Sequence, residues 1–230
     1  MAAARLARIA IATLVALLAV APTARAAELT ALETRWIEGI WPVVRFAREQ
    51  KLPLDVIVQP QDEPDAPPLA LGYVDGRCKL VLSMRGNAEA QATLDRIDAD
   101  LVDAALELMA AHELGHCRRY LDGTWYGGSA RFAADEPAAA PRASEQAAVR
   151  REEAYADLVG LGWARAHRPR QYARLHAWLV DERARELVPG GAHDTLAWIR
   201  LAGDAEALAG GSIFVAAARL WSAALADRAE

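Results

Sequence analysis

The alternation of apolar and polar positions divides the chain into helices and a few short strands. An apolar residue every three to four positions is typical of a helix with one buried face. We expect Pro42 to kink or divide the first such segment. The predicted helices cover residues 29–50, 98 or 100 to about 121, 144–166, 170–187, 194–201 and 212–226.

Three short apolar runs predict strands, at residues 54–58, 69–74 and 78–84. Asp75-Gly76 lies between the second and third runs and is a strong signal for a hairpin turn. The acidic, proline-rich stretch 59–68 predicts a surface loop. Together these elements predict a mainly helical α+β fold with a small antiparallel β-sheet.

The composition fits one globular domain. A length of 230 residues is most simply one domain. The 26 basic and 31 acidic residues give a net charge of −5, and no run of Lys or Arg forms a basic patch. This charge pattern argues against nucleic acid as a partner.

The first 26 residues read as a signal peptide. Arg5 and Arg8 precede an apolar run, residues 9–21, and Ala24-Arg25-Ala26 has the small-x-small pattern of a cleavage site. The apolar run is short for a membrane span, which needs about 20 residues. We therefore expect an exported protein, periplasmic or secreted, with its domain at residues 27–230. An uncleaved anchor is the alternative.

The stretch His112-Glu113-Leu114-Gly115-His116 contains the strongest chemical pattern in the chain. Residues four apart lie on one face of a helix, so His112 and His116 can offer two imidazole nitrogens to one ion. Glu113 then serves as the proton shuttle, as in the H-E-x-x-H pattern of zinc peptidases. The alternative is an ordinary amphipathic helix with two histidines on one face.

Export bears on the two cysteines of the chain, Cys78 and Cys117, because exported proteins can form disulfides. An even count in an oxidising compartment allows a disulfide, which would join the predicted sheet to the helix of His116. Two buried free thiols are the alternative.

A second pattern, Glu153-Ala154-Tyr155-Ala156-Asp157, follows after 36 intervening residues. The pair resembles the gluzincin metallopeptidases, in which H-E-x-x-H is followed by E-x-x-A-D. The resemblance implies a zincin-like fold with the sheet beside the active-site helix. It also implies that Glu153 is the third ligand of one Zn²⁺ ion and that Asp157 hydrogen-bonds a ligand histidine.

Within the gluzincins the pattern is closest to the CAAX-prenyl-protease-like peptidases, over residues 112–161. The chain departs from that family at Arg118, where an uncharged residue is usual. The family also has a downstream His-Pro with an arginine six residues on, whereas here His193 precedes Asp194, and Arg200 lies seven residues away. His193 is therefore either a catalytic donor to the oxyanion or a polar loop residue.

Several further residues and segments are weaker candidates for a role in the site. Glu152 is a fallback ligand, and Tyr155 or Tyr126 can donate to an oxyanion, although packing is the commoner role of such a tyrosine. We expect residues 123–144 to form either a lid or a plain linker. The strand at residues 79–85 is our candidate for an edge that binds an extended substrate, against an ordinary strand without that role.

Two histidines and one carboxylate leave the fourth position of a tetrahedral zinc open, which is typical of a catalytic site. The sequence therefore predicts a zinc metalloendopeptidase acting on a peptide or protein substrate. The alternatives are a catalytically inactive zinc-binding adaptor or regulator of the cell envelope, and a helical scaffold without metal. Another metal in place of zinc also stays open.

Overall fold

The computed structural model describes residues 28–60, 66–123, 143–185 and 187–226. The predicted signal peptide, Tyr126 and nearly all of the predicted loop 123–144 lie outside these residues. Within these ranges no helix combines the length and apolarity needed to cross a membrane.

The described residues form an α+β fold, as predicted. Seven α-helices and one three-stranded sheet surround a continuous apolar core. The elements are α1 (Ala31–Glu49), β1 (Leu54–Pro60), β2 (Leu69–Val74), β3 (Arg77–Arg85), α2 (Ala88–Asp95), α3 (Val102–Leu121), α4 (Ala143–His167), α5 (Tyr172–Arg185), α6 (Leu196–Leu201), a 3₁₀ turn (Ala205–Leu208) and α7 (Ile213–Ala226).

The sheet is mixed, so the prediction of an antiparallel sheet is correct for only one of its two pairings. Its strand order is β1-β3-β2, with β2 antiparallel and β1 parallel to β3. Burial accounts for the central position of β3, because every residue from Leu80 to Met84 is buried. A strand covered on both faces is favoured in the centre of a sheet.

The position of β3 also contradicts the prediction that residues 79–85 bind an extended substrate. The β3 backbone pairs with β1 on one side and with β2 on the other, so it has no free edge for a further strand. The hairpin turn between β2 and β3 is confirmed, with positive φ angles of 51° at Asp75 and 74° at Gly76. These angles match the two-residue turns that suit the twist of a hairpin.

Helix α1 runs through Pro42 without a break, so Pro42 does not divide this helix, and a kink at Pro42 stays a prediction. An interior proline costs about 3 kcal/mol or more. The buried face of α1 continues on both sides of it, with Trp36 and Ile40 before Pro42 and Val43 and Ala47 after it, all at most 1% exposed. Packing of this face offsets the local cost.

The sequence patterns did not predict α2 or the 3₁₀ turn. Only Ala90 and Thr93 of α2 are buried, which is too few to produce a visible helical period. A local cap marks its start, because the Asn87 side chain accepts a hydrogen bond from the backbone N–H of Glu89 at 3.0 Å.

A disulfide joins Cys78 of β3 to Cys117 of α3, with a Cα–Cα distance of 5.7 Å. Both residues are fully buried. The pairing that the cysteine count allowed is therefore present, and it attaches the central strand to the helix of the two histidines.

Candidate metal centre

Helix α3 brings the two histidines of the H-E-x-x-H pattern to one point. His112 and His116 lie one turn apart and are 8% and 4% exposed. Their Nε2 atoms are 3.0 Å apart, and the two rings are nearly perpendicular, at 88°. Both imidazoles therefore present the same nitrogen to a shared space.

Helix α4 runs antiparallel to α3 and packs closely against it. Glycines make this approach possible, because a Cβ on Gly115 would lie 3.0 Å from the Cα of Ala156. A Cβ on Gly160 would lie 2.9 Å from the carbonyl oxygen of Leu108. Any larger side chain at these positions would separate the two helices.

The close approach places Glu153 of α4 against both histidines. One carboxylate oxygen, Oε2, lies 3.3 Å from His112 Nε2, and the other, Oε1, lies 3.6 Å from His116 Nε2. The ligand atoms of the three residues all lie within 4.8 Å of one another. The predicted ligands from two separate helices are therefore brought together.

These separations fit a tetrahedral ion. Zinc–ligand bonds of about 2.0–2.1 Å at tetrahedral angles require ligand atoms about 3.3 Å apart. The three observed distances, 3.0, 3.3 and 3.6 Å, lie on either side of this value. The donor set of two imidazoles and one carboxylate is also one that zinc prefers.

Asp157 lies one helical turn after Glu153 and is fully buried. Its Oδ1 accepts a hydrogen bond from His112 Nδ1 at 2.9 Å. With the proton on Nδ1, the Nε2 lone pair of His112 points toward Glu153 and is available to a metal. This is the arrangement that the resemblance implies for Asp157.

Two further residues hold Asp157, and the sequence analysis did not find them. Arg183 of α5 donates to both carboxylate oxygens, from Nε at 3.1 Å and from Nη2 at 2.6 Å. The buried hydroxyl of Thr195 donates to Oδ2 at 2.6 Å. No local pattern marks either residue, because they lie 26 and 38 residues after Asp157.

The electrostatics of the cluster favour a cation. Burial opposes ionisation of Asp157, but the charge of Arg183 and the hydrogen bond from His112 outweigh it and lower its pKa. Burial likewise works against Glu153, yet the two neighbouring imidazoles hold its pKa well below the usual value. With both histidines neutral, as metal binding requires, the carboxylates of Asp157 and Glu153 against the guanidinium of Arg183 leave a charge of −1, which favours a bound cation.

Without an ion, the same carboxylates act on the histidines. Burial disfavours the charged ring of His112, but hydrogen bonds to Asp157 and Glu153 overcome this effect and raise its pKa to about 10. Glu113 is half-buried beside His112 on α3. Burial raises the pKa of Glu113, and the carboxylate of Glu153 raises it further. The two histidines and Arg183 lower it, but the net shift is upward.

His193 also approaches the cluster, with its Nε2 3.7 Å from Glu153 Oε2 and its side chain 40% exposed. The structure therefore places this predicted donor at the solvent side of the three ligands. Arg200, which the family pattern would bring nearby, is exposed on α6. Among the described residues, Arg183 binds Asp157 beside the ligands instead.

The weaker candidates lie elsewhere. Glu152 forms a two-bond ion pair with Arg119, at 2.6 and 2.7 Å, and does not belong to the cluster. The Tyr155 hydroxyl donates to the carbonyl of Phe214 at 3.5 Å, and its ring packs against Trp221. This tyrosine therefore has a packing role in α4.

Tyr120 was not among the predicted residues, although it follows His116 by one turn of α3. Its ring stacks on Tyr73 of β2, with centroids 4.9 Å apart and an interplanar angle of 1°. Burial raises the pKa of Tyr120, and the carboxylates of Glu113 and Glu153 raise it further. The Tyr73–Tyr120 stack joins β2 to α3 one turn beyond His116.

Comparisons of the chain with protein-family models, with curated proteins and with solved structures found no match in any of the three. The interpretation of this cluster therefore depends on its geometry and on the chemistry of its residues.

Proposed function

We propose that this protein is a zinc-dependent endopeptidase of the gluzincin type. The observation that carries the proposal is the convergence of His112 Nε2, His116 Nε2 and the Glu153 carboxylate at 3.0–3.6 Å. Three protein ligands are the number expected for a catalytic zinc, whereas structural zinc sites usually have four.

His112, His116 and Glu153 would hold a zinc ion, which would act as a Lewis acid toward the scissile carbonyl and would lower the pKa of water toward about 7. Glu113 accepts the proton of the attacking water and returns it to the leaving amine. A half-buried carboxylate whose pKa is raised holds a proton more readily than an exposed one, which suits it to take up the proton of water and to return it.

His193 is the proposed donor to the oxyanion that develops on the substrate carbonyl. Its position at the solvent side of the ligands supports this role, because a substrate must reach the site from that side. A preorganised donor at such a point stabilises charge that appears only in the transition state. Asp157 keeps the ring of His112 in its ligating tautomer.

We propose that an extended substrate binds along β2. Among the described residues, β2 pairs with β3 on one side only and packs against α3. An exposed strand edge offers backbone N–H and C=O groups to a peptide, which adds as a further strand. This proposal replaces the earlier expectation for residues 79–85.

We further propose that the enzyme acts outside the cytoplasm, in the cell envelope or secreted. The pattern of the first 26 residues supports this location, and the buried Cys78–Cys117 disulfide is typical of an oxidising compartment.

The test is a comparison of the parent protein with Glu113→Gln and Glu153→Gln. Metal content is measured by elemental analysis, and hydrolysis by digestion of a broad peptide library. We expect Glu113→Gln to retain about one zinc per chain and to lose hydrolysis by at least about 100-fold, the lower end of general acid–base contributions. Glu153→Gln should lose both zinc and hydrolysis.

The possible results separate the alternatives. If Glu113→Gln cleaves the library as well as the parent, the assigned mechanism is wrong. A parent that binds zinc stoichiometrically but cleaves no peptide would indicate the zinc-binding adaptor instead. A parent that binds no metal would exclude both the zinc peptidase and the zinc-binding adaptor.

A further inference from the structure

The carboxylate of Asp157 accepts four hydrogen bonds, two at each oxygen. Oδ1 accepts from His112 Nδ1 at 2.9 Å and from Arg183 Nη2 at 2.6 Å. Oδ2 accepts from Arg183 Nε at 3.1 Å and from Thr195 Oγ1 at 2.6 Å. A carboxylate has about four lone-pair positions, so this group is saturated and its orientation is determined by its partners.

Three of these four hydrogen bonds come from the C-terminal part of the chain. Arg183 lies near the end of α5, and its side chain is 13% exposed, while Thr195 directly precedes α6 and is fully buried. The planar guanidinium of Arg183 binds the carboxylate through two parallel bonds, a geometry that a lysine cannot reproduce. Rotation of Asp157 would therefore break several bonds at once.

The same contacts reach the segment of His193. Thr195 is two residues after His193, and its backbone N–H donates to the His193 carbonyl at 2.8 Å. The hydrogen bonds around Asp157 thus connect the ring of His112, on α3, with the short segment that contains His193.

We propose that Arg183, assisted by Thr195, is a positioning residue that orients Asp157 and through it the metal-ligating tautomer of His112. The inference depends on the metal site of the proposed function, and it assigns to α5 and to the start of α6 a part in metal binding. Partners of this kind contribute strongly, since their loss typically weakens metal affinity 10–100-fold.

The test uses three arginine variants of the full-length protein. Arg183→Met removes the charge and the paired donors but keeps the apolar stem. Arg183→Lys keeps the charge alone. Arg174→Met is the matched control on the same helix, because Arg174 also binds carboxylates, those of Asp98 and Asp100, but at an exposed position.

Two measurements are made on each variant, the zinc Kd by chelator competition and the visible absorption spectrum of the Co²⁺-loaded protein. We expect Arg183→Met to raise the Kd 10–100-fold and to shift the cobalt bands. Arg183→Lys should show a smaller change in both, and Arg174→Met should stay within about twofold of the parent, as an exposed ion pair contributes little.

A purely structural role for Arg183 gives a different result. If Arg183 only neutralises a buried charge, Arg183→Met lowers the melting temperature but leaves the Kd and the cobalt spectrum of the folded protein unchanged, and the proposal is overturned. Should Arg183→Met fail to fold, Thr195→Val removes one hydrogen bond at nearly constant volume. We then expect about a threefold to tenfold weaker Kd, a fraction of the usual effect, and an unchanged Kd would refute the inference.

These outcomes are separable from those of the proposed function. A parent that binds zinc but hydrolyses nothing overturns the peptidase while leaving the positioning role to be judged from Kd and spectrum. A parent that hydrolyses peptides, with Arg183→Met unchanged in Kd, overturns only the positioning role.

Discussion

The metal site depends on how closely α3 approaches α4, and Gly115→Ala perturbs that distance directly. The new Cβ would lie 3.0 Å from Ala156 Cα and 3.2 and 3.3 Å from side-chain atoms of Val159. Carbon atoms reach their optimal separation at about 3.5–4.0 Å. Relief of the contact therefore requires the two helices to separate by roughly 0.5 Å.

A shift of this size exceeds what the ligand geometry tolerates. Metal–ligand distances in a well-formed site vary by about 0.2 Å. His112 and His116 move with α3, while Glu153 moves with α4, so their separation changes by the full displacement. We expect the zinc Kd to rise at least about tenfold, which corresponds to ~1.4 kcal/mol.

The change in the stability of the metal-free protein should be modest. Overpacking of a core contact costs about 1–3 kcal/mol, while alanine is favoured over glycine in a helix by about 1 kcal/mol. The net loss of unfolding free energy for Gly115→Ala in the metal-free protein is therefore about 0–2 kcal/mol. A large decrease in affinity with a small decrease in stability would locate the effect at the site.

Gly162→Ala is the matched control, because it makes the same substitution on α4 at a position with room. Its Cβ would lie 3.4 Å or more from the neighbouring atoms of Ile213. We expect its zinc Kd to equal that of the parent. The assay is chelator competition with both variants and the parent. Equal Kd values for Gly115→Ala and the parent would refute the claim that this glycine determines the geometry of the site.

Two further predictions concern the disulfide and the protonation of the site. The Cys78–Cys117 bridge spans 39 residues, so its replacement by two serines should cost about 4 kcal/mol by the loop-entropy relation and lower the melting temperature by about 8–16 °C. Thermal unfolding under non-reducing conditions measures this effect. If the parent and the double-serine variant melt at the same temperature, the prediction is contradicted. In the metal-free protein His112 has a pKa raised to about 10, so it is protonated at pH 8 and must lose that proton to bind zinc. Calorimetry of zinc binding in two buffers of different ionisation enthalpy should detect the released proton, and the same heat in both buffers would rule it out. The corresponding stabilisation of the metal-free fold is complete below pH 6.5, the unperturbed pKa, and is lost as the pH rises through about 10.

Local sequence determined much of the secondary structure of this protein. Length and apolar spacing were sufficient to predict the long helices, although α3 from Ala104 to Cys117 and α4 from Ala154 to Ala164 are buried almost all round. The two positive φ angles at Asp75 and Gly76 likewise follow from a two-residue turn signal. The spacing of His112 and His116 required only that α3 be a helix, because residues four apart lie on one face. Short elements such as α2 lack enough buried positions to show a period.

Tertiary structure alone decided how these elements meet. The order of the strands depends on which strand is covered on both faces, and this made β3 the centre and left β2 at an edge. The contact of Glu153 with the histidines depends on the small residues Gly115 and Ala156, which belong to different helices. Arg183 and Thr195 reach Asp157 across 26 and 38 residues. Such contacts have no period or fixed spacing in the sequence, because they arise from the packing of separate elements around one buried carboxylate.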